Sequence, residues 1–253
     1  MKHNKKMWFA YFTSLTYKDE PNFFEMNQLS WVPDVISKSN EIKIEVEDML
    51  GSAEFSPKNY FIEGLTDNGG WKTFSLKTWG IDVKQAMAKM PVLASLSKNN
   101  SNIVSISINV LEPGTEIKAH HGDSNTFYRS HLGVIIPGSL PECGFKVNDE
   151  SRPWKEGELL TFTDGNIHSA WNFSRSKRDV VVFDVIKDEY QSQRRYICFR
   201  VRTFLLLQLL FEKYPKYKQA PKWIHTMTGF KIFCILVCLY PYQKLFGVIK
   251  KHN

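Results

Sequence analysis

The chain has 253 residues, 43% of them hydrophobic and 14% aromatic, with four cysteines. That length suits one domain with an appendage and can bury a sizeable core, and the composition excludes both a disordered chain and a disulfide-stapled scaffold. The net charge of +7 is unevenly placed: residues 1–190 hold 21 Lys+Arg against 25 Asp+Glu, whereas residues 191–253 hold 12 Lys+Arg and a single acid, Glu212. A mildly acidic body with a basic tail is not a uniformly basic nucleic-acid-binding domain. No helix-turn-helix, zinc-finger or RNP-like pattern is present, so no nucleic-acid partner is expected.

The basic start, residues 1–6, precedes an apolar, aromatic-rich stretch of about six residues within 7–14. A secretory core needs roughly 7–15 apolar residues and a small-residue cleavage site, so no cleaved signal is expected. Residues 1–59 read as a flanking segment with one helix over 34–51, capped by Ser37 or Ser39. Residues 71–79 alternate apolar and polar side chains as a strand does, and 83–96 suit a helix that Pro91 interrupts or starts. From 102 the pattern turns to β: residues 102–111 alternate almost throughout and stop at Glu112-Pro113-Gly114. Residues 131–137, 144–147, 158–162 and 179–186 are further short β-rich runs. Short strands divided by turns predict a mainly β jelly roll over residues 60–190, flanked by N-terminal helices and followed by a C-terminal helical extension.

The tail, residues 191–253, differs in kind. Residues 203–211 form an intensely apolar helix candidate between Arg200, Arg202 and Lys213, and 214–222 read as a loop with two prolines. A second apolar run, 232–242, ends near Lys244, Lys250 and Lys251; its eleven residues fall short of the ~20 a spanning helix needs. Apolar helices with basic flanks can lie in a membrane interface, so surface contact through residues 200–253 is expected, with packing on the core or between subunits as the alternative. The cysteines, Cys143, Cys198, Cys234 and Cys238, show no CxxC and no paired zinc spacing, which fits a reducing cytoplasm. Cys234 and Cys238, one helical turn apart, are expected to pack as small apolar residues. The expected location is the cytoplasm, peripheral on the membrane.

Two segments carry histidines at informative places. One runs from Leu111 through His120, His121 and His131 to Gly133; the other runs from Leu160 through His168 to Asn172, with Arg178 beyond it. In a jelly roll, a histidine ending one strand and another on a late strand can meet inside the barrel. Neutral imidazoles there suit Fe(II), and a carboxylate near the first would complete a two-His-one-carboxylate triad with open positions. A buried arginine on the strand after the second histidine can form a two-bonded pair with a co-substrate carboxylate. A single strand histidine is ordinarily a packed or surface residue, so the spacing gains its weight from three histidines and two arginines together.

Pro113-Gly114, His120, Gly122, Asn125, Arg129, His131 and Gly133 fall at intervals that resemble the aspartyl/asparaginyl β-hydroxylase family. Gly70-Trp71, Cys143, Trp154-Lys155-Glu156-Gly157, Phe162, Asp164, His168, Trp171, Arg178 and Asp184 extend the resemblance, which covers about residues 60–188. A membrane-associated branch, the lipid A acyl-chain hydroxylases, shares this domain and also continues into an apolar, basic extension. The resemblance implies a double-stranded β-helix and an Fe(II)- and 2-oxoglutarate-dependent dioxygenase that uses O2 and releases succinate and CO2. It implies His120 and His168 as catalytic iron ligands, Arg129 and His131 at the keto-acid end of 2-oxoglutarate, and Arg178 on its distal carboxylate. Asn109 stands where the family often has a serine beside that carboxylate. Asp164 and Asp184 are candidates for fixing the imidazole tautomers.

The triad carboxylate would sit two residues after the first histidine, at Gly122. Peptide hydroxylases of the family also lack it, whereas the lipid type keeps an aspartate. His121-Gly122-Asp123 is itself a His-x-Asp, so a register moved by one residue would make His121 and Asp123 the ligands. The two registers exclude each other in a regular strand, and the intervals to Arg129 and His131 favour His120. The expected substrate is an aspartyl or asparaginyl side chain of a peptide or protein, hydroxylated at its β-carbon. The alternatives are a lipid acyl chain or a non-catalytic jelly-roll binding module. None of the candidate site residues lies in the tail.

Overall fold

The computed structural model describes residues 6–10, 20–52 and 56–247; most of the 1–14 reading, with Lys250 and Lys251, falls outside them. Its strands are Lys58–Asn59 (β1), Trp71–Thr78 (β2), Ile81–Asp82 (β3), Ile103–Leu111 (β4), Thr115–His121 (β5), Phe127–Ile135 (β6), Cys143–Val147 (β7), Glu150–Arg152 (β8), Leu159–Thr163 (β9), Ile167–Asn172 (β10) and Arg178–Ile186 (β11). The helices are Val32–Ile36 (α1), Ser39–Gly51 (α2), Lys84–Lys89 (α3), Pro91–Asn99 (α4), Arg194–Lys213 (α5), Pro215–Lys218 (α6) and Lys222–Phe246 (α7).

Two antiparallel sheets face each other, the arrangement of a jelly roll. The larger runs β1-β2-β4-β11-β6-β9 with β3 on β2, and the smaller runs β5-β10-β7-β8. Strand β11 shows why both faces of the larger sheet are covered: all nine of its residues are buried. Val181, Phe183 and Val185 pack with Val35, Ile42, Val46 and Leu93 of the helices. Val180 and Val182 turn the other way, onto Ile117, Phe145 and Val147 of the smaller sheet. A strand buried on both faces reads as a nearly continuous apolar run; in β11 residues 180–183 and 185–186 are apolar, and Arg178, Asp179 and Asp184 are its charged exceptions. A third cluster, Trp79, Val104, Phe127, Ile197, Cys198 and Val201, fastens α5 to one end of the larger sheet.

The helix read over 34–51 is two helices, α1 and α2. Neither serine caps α2: its N-cap is Lys38, and Ser37 Oγ donates to Asp34 O at 3.1 Å. The helix read over 83–96 is also two, because Pro91 opens α4 at a position where its missing N–H costs nothing. The Glu45 carboxylate of α2 accepts from Val92 N at 2.6 Å and Leu93 N at 3.3 Å.

The tail departs furthest from its sequence reading. The second apolar run belongs to a 25-residue helix, α7, long and apolar enough by length and composition to cross a membrane. Thr226, Thr228 and Gly229 extend it backwards, and Pro241 sits inside it. Cys234 and Cys238 are exposed rather than packed. Helices α5 and α7 cross where Gly229 meets Leu207: a Cβ on that glycine would lie 3.2 Å from Leu207 Cδ1.

Candidate active site

The inward face of the larger sheet is polar on one side of the barrel. Cross-strand partners share a face, and the register sets Asp184 opposite Arg129 and Val182 opposite His131. It also sets Asp184 opposite Ser105, Val182 opposite Ser107 and Val180 opposite Asn109. These side chains, with Arg178, His120 and His168, line one cavity of about 240 Å³.

His120 reaches this cavity through an irregularity in β5. His168 pairs with His120 but Ala170 pairs with Ile117, so β5 spends three residues where β10 spends two. Such a bulge resets the two-residue alternation. Ile117 packs in the core, and His120, three residues on, lies with its ring centroid 4.3 Å from that of His168. His121 pairs with Ile167, its ring stands 6.2 Å from Trp8, and its Nδ1 donates to Gly165 O at 3.1 Å. Of the two registers, the one with His120 meets His168, while His121 and Asp123 also line the cavity without that pairing.

Hydrogen bonds set two different tautomers. His120 Nδ1 lies 2.8 Å from Lys118 O, and His168 Nδ1 lies 2.8 Å from Asn166 O. A carbonyl only accepts, so both Nδ1 atoms carry the proton and both Nε2 atoms are left with a lone pair. His131 is the reverse case: Trp154 Nε1 donates to its Nδ1 at 3.3 Å, which leaves the proton on Nε2. Burial depresses all three imidazoles below their ordinary value, His131 and His168 far below it, with Arg178 and His120 respectively adding to the effect. Two neutral acceptors and one neutral donor thus face one cavity. Backbone carbonyls, rather than Asp164 or Asp184, hold the two acceptor rings.

Those aspartates hold Arg129 instead. Its Nε donates to Asp184 Oδ1 at 2.8 Å and its Nη2 to Asp184 Oδ2 at 3.3 Å, while Nη1 pairs with the Asp164 carboxylate. The Asp164 carboxylate also accepts from Asp123 N at 2.5 Å. Burial, with Asp164 alongside, pushes the Asp123 carboxyl up to about 8. Gly122 is tied to the same group: a Cβ there would lie 2.0 Å from Asp164 Cγ and Oδ2. The place where a triad carboxylate would branch from the chain is filled by Asp164. Among the described residues, no group of three or more His, Cys, Asp or Glu is disposed around a metal position.

Arg178 stands apart from these pairs. It is 2% exposed, its Nε has no hydrogen-bond partner, and its guanidinium lies 4.5 Å over the Trp154 ring. Burial lowers it to about 10. A buried guanidinium without a carboxylate is costly, and an anionic ligand in the cavity would complete it. Asn109 is already engaged: its Oδ1 accepts from Trp71 Nε1 at 3.0 Å and its Nδ2 donates to Ser107 Oγ at 2.8 Å.

Residues 37–188 match the family model described as aspartyl/asparaginyl beta-hydroxylase. The chain belongs to the aspartyl/asparaginyl β-hydroxylase family. The ornithine lipid ester-linked acyl 2-hydroxylase of Rhizobium tropici is 26% identical over 66% of this chain. The aspartyl/asparaginyl beta-hydroxylase of Mus musculus is 30% identical over 53%, and the human aspartate beta-hydroxylase domain-containing protein 2 is 36% identical over 42%. The matches span 61%, 18% and 30% of those relatives' own lengths.

Several lining residues of this family member escaped sequence reasoning. Thr73, Ser75, Ser105 and Ser107 form a hydroxyl-bearing row along β2 and β4. Their every-second-residue spacing was the available signal, but only the fold turns that face inward. Leu205 and Gln208 of α5 also reach the cavity, so the tail contributes to its wall.

Proposed function

We propose that the chain is an Fe(II)- and 2-oxoglutarate-dependent dioxygenase in which residues 60–190 are the catalytic unit. The supporting observation is one cavity that joins two acceptor imidazoles, His120 and His168, to the buried guanidinium of Arg178, whose Nε has no hydrogen-bond partner. The two Nε2 atoms would hold iron, and the carbonyls of Lys118 and Asn166 fix their rings. Iron bound with 2-oxoglutarate and O2 supplies the oxidising chemistry that places a hydroxyl on an unactivated carbon, with succinate and CO2 as co-products.

The protein's own contribution is binding, orientation and exclusion of water. Arg178 pairs with the distal carboxylate of 2-oxoglutarate, with Asn109 flanking it. His131 presents Nε2–H to the keto-acid end. Arg129, held by Asp184 and Asp164, keeps its charge at that end without being free to swing away. Phe145, Phe162, Val180 and Val182 make the surrounding wall apolar.

For the substrate, the first reading is the β-carbon of an aspartyl or asparaginyl residue, supported by the family and by Gly122 at the position where a third ligand would branch. A lipid acyl chain is the second reading, favoured by one feature: Phe61, Ile62, Leu65 and Leu205 line the cavity, the last from the helical tail. In both readings the enzyme sits in the cytoplasm with its tail at a membrane surface. Anaerobic titration with Fe(II) and 2-oxoglutarate tests the oxygenase reading: the chelate gives a visible charge-transfer band, and no band with no succinate formed in air rejects it. Mass spectrometry for a gain of one oxygen, after offering peptide and lipid extracts, separates the substrates.

A further inference from the structure

A second cavity, of about 430 Å³, lies where the larger sheet, α4 and the tail helices meet. Lys77 of β2, Lys98 of α4, Arg194 and Arg195 of α5 and Lys244 of α7 line it, and Asp82 is its one acid. Nothing in the proposed oxygenase chemistry uses these residues. Concentrating cations from four separate elements in a concave site is unfavourable without a counter-charge.

Among the described lining residues Asp82 alone answers this charge with a carboxylate, pairing with Lys77; Arg194 Nη1 donates to Ser101 O at 2.8 Å and Lys244 Nζ to Gly80 O at 3.5 Å, bonds that occupy donors without neutralising the cations. Lys77 is only 11% exposed at its side chain and has a carboxylate no nearer than Asp82, at 3.7 Å, and a hydrogen bond to Ser97 Oγ at 2.7 Å. Its ammonium is depressed by burial, partly restored by Asp82, and depressed again by Lys244 and Arg194. Arg194 and Arg195 open the 20-residue helix α5, whose first turn holds no acid. A helix N-terminus carries partial positive charge, so arginines there oppose the dipole, whereas an anion is stabilised by it. Lys98 and Arg195 make no ion pair among the described residues.

The cavity is not wholly polar. Trp79, Ile103, Val104 and Tyr240 also line it, and Tyr240 belongs to α7, whose outer side chains Phe230 and Leu245 are 70% and 67% exposed. A cationic pocket beside an exposed apolar helix matches a ligand with a phosphate at one end and hydrocarbon at the other. We propose that this cavity is an anion subsite, separate from the oxygenase cavity, that takes the phosphate headgroup of an anionic phospholipid between Lys77, Lys98, Arg194, Arg195 and Lys244.

The test uses the full chain and short-chain phosphatidylglycerol held below its micelle concentration, with calorimetry and thermal unfolding as readouts. The wild type binds it and melts at a higher temperature in its presence. Lys98→Gln combined with Arg195→Gln weakens that binding about tenfold or more, as loss of charge-assisted bonds does. Lys216→Gln combined with Lys218→Gln removes the same charge elsewhere on the tail and leaves affinity unchanged. If both pairs weaken binding equally, the attraction is diffuse and the subsite is rejected. Short-chain phosphatidylcholine and inorganic phosphate complete the set: equal binding of phosphatidylcholine rejects anion selection, and inorganic phosphate binding as tightly as the lipid rejects the headgroup assignment. An unchanged melting temperature of the unliganded Gln variants verifies that lost affinity is not lost folding.

Discussion

His120 and His168 stand with ring centroids 4.3 Å apart, and each donates its Nδ1–H to the carbonyl two residues before it. The same local device on two strands leaves both Nε2 lone pairs unprotonated. His120→Ala or His168→Ala should therefore lower Fe(II) affinity by more than the roughly 10–100-fold that losing an outer hydrogen-bond partner costs, and turnover should vanish. Iron retained after desalting measures the first effect. Normal iron content in either variant would sink the ligand assignment.

Arg178 predicts a trade between stability and function. Its guanidinium is buried and makes no ion pair among the described residues, so Arg178→Met removes a poorly compensated charge and keeps much of the volume packed on Trp154. Replacing a buried charge by a fitting apolar side chain is often neutral or stabilising by about 1–4 kcal/mol. The variant should melt no lower than the wild type without ligand, yet need at least about tenfold more 2-oxoglutarate, the loss of a charge-assisted pair. An unchanged 2-oxoglutarate requirement would reject the carboxylate role.

Acid stability should report His131. Burial holds its folded pKa far below the ordinary value, so the native ring stays neutral while the unfolded one takes a proton near pH 6.5. This contribution is complete above about pH 6.5 and is lost as pH falls, at about 1.4 kcal/mol per pH unit. Asp123 acts with the opposite sign, because its raised pKa favours the native state in acid. Comparing wild type with His131→Phe isolates the histidine, and Phe145, Phe162 and Trp154 already provide an aromatic setting for the new ring. Between about pH 6 and 5 the wild type should lose stability more steeply; parallel curves from urea titrations would contradict a neutral buried His131.

What the sequence conveyed depended on how regular each element is. Strands β4 and β11 are legible because alternation marks the one and the apolar run of residues 180–183 marks the other. Strands β5 and β10 do not stand out as β-rich runs, since they are short, carry His, Asn and charged residues, and are partly exposed. Those two strands hold the histidine pair, so the chemistry was visible only as spacing. The choice between His120 and His121 turned on a bulge that no side-chain pattern announces. The partners of Asp164 and Asp184 are equally hidden, because an ion-pair cluster joining β6, β11 and the turn after β9 depends on register. In the tail, an eleven-residue apolar count missed that the neighbouring threonines and glycine continue the same helix.

Gly122 and Asp164 should be energetically coupled. A methyl at Gly122 collides with the Asp164 carboxyl, so Gly122→Ala should cost about 1–3 kcal/mol through overpacking and displaced hydrogen bonds. In an Asp164→Ala background the same change should cost less, with an interaction of at least about 0.5 kcal/mol in a double-mutant cycle. Additive effects by urea denaturation would show that the glycine is not required by Asp164. A carboxylate introduced by Gly122→Asp meets the same obstacle and should not restore a three-ligand site unless Asp164 is shortened too.

Helix α7 presents apolar side chains around most of its circumference, which a partner helix on one side cannot explain. Only His225, Gly229 and Leu236 are buried along it, while Trp223, Phe230 and Leu245 are 63%, 70% and 67% exposed. If the helix lies in a bilayer interface, full burial of each such side chain is worth about 1.5–3 kcal/mol, and partial insertion still sums over three. Trp223→Ser, Phe230→Ser and Leu245→Ser together should weaken binding to vesicles containing phosphatidylglycerol by at least about a hundredfold. The exposed thiols of Cys234 and Cys238 give a second readout, since both should react more slowly with a maleimide once vesicles are present. Subunit packing makes a different pair of predictions: the triple variant would change oligomeric state in sedimentation, and vesicles would leave thiol labelling unaltered. Unchanged vesicle binding together with unaltered labelling would remove the membrane from the account of this tail.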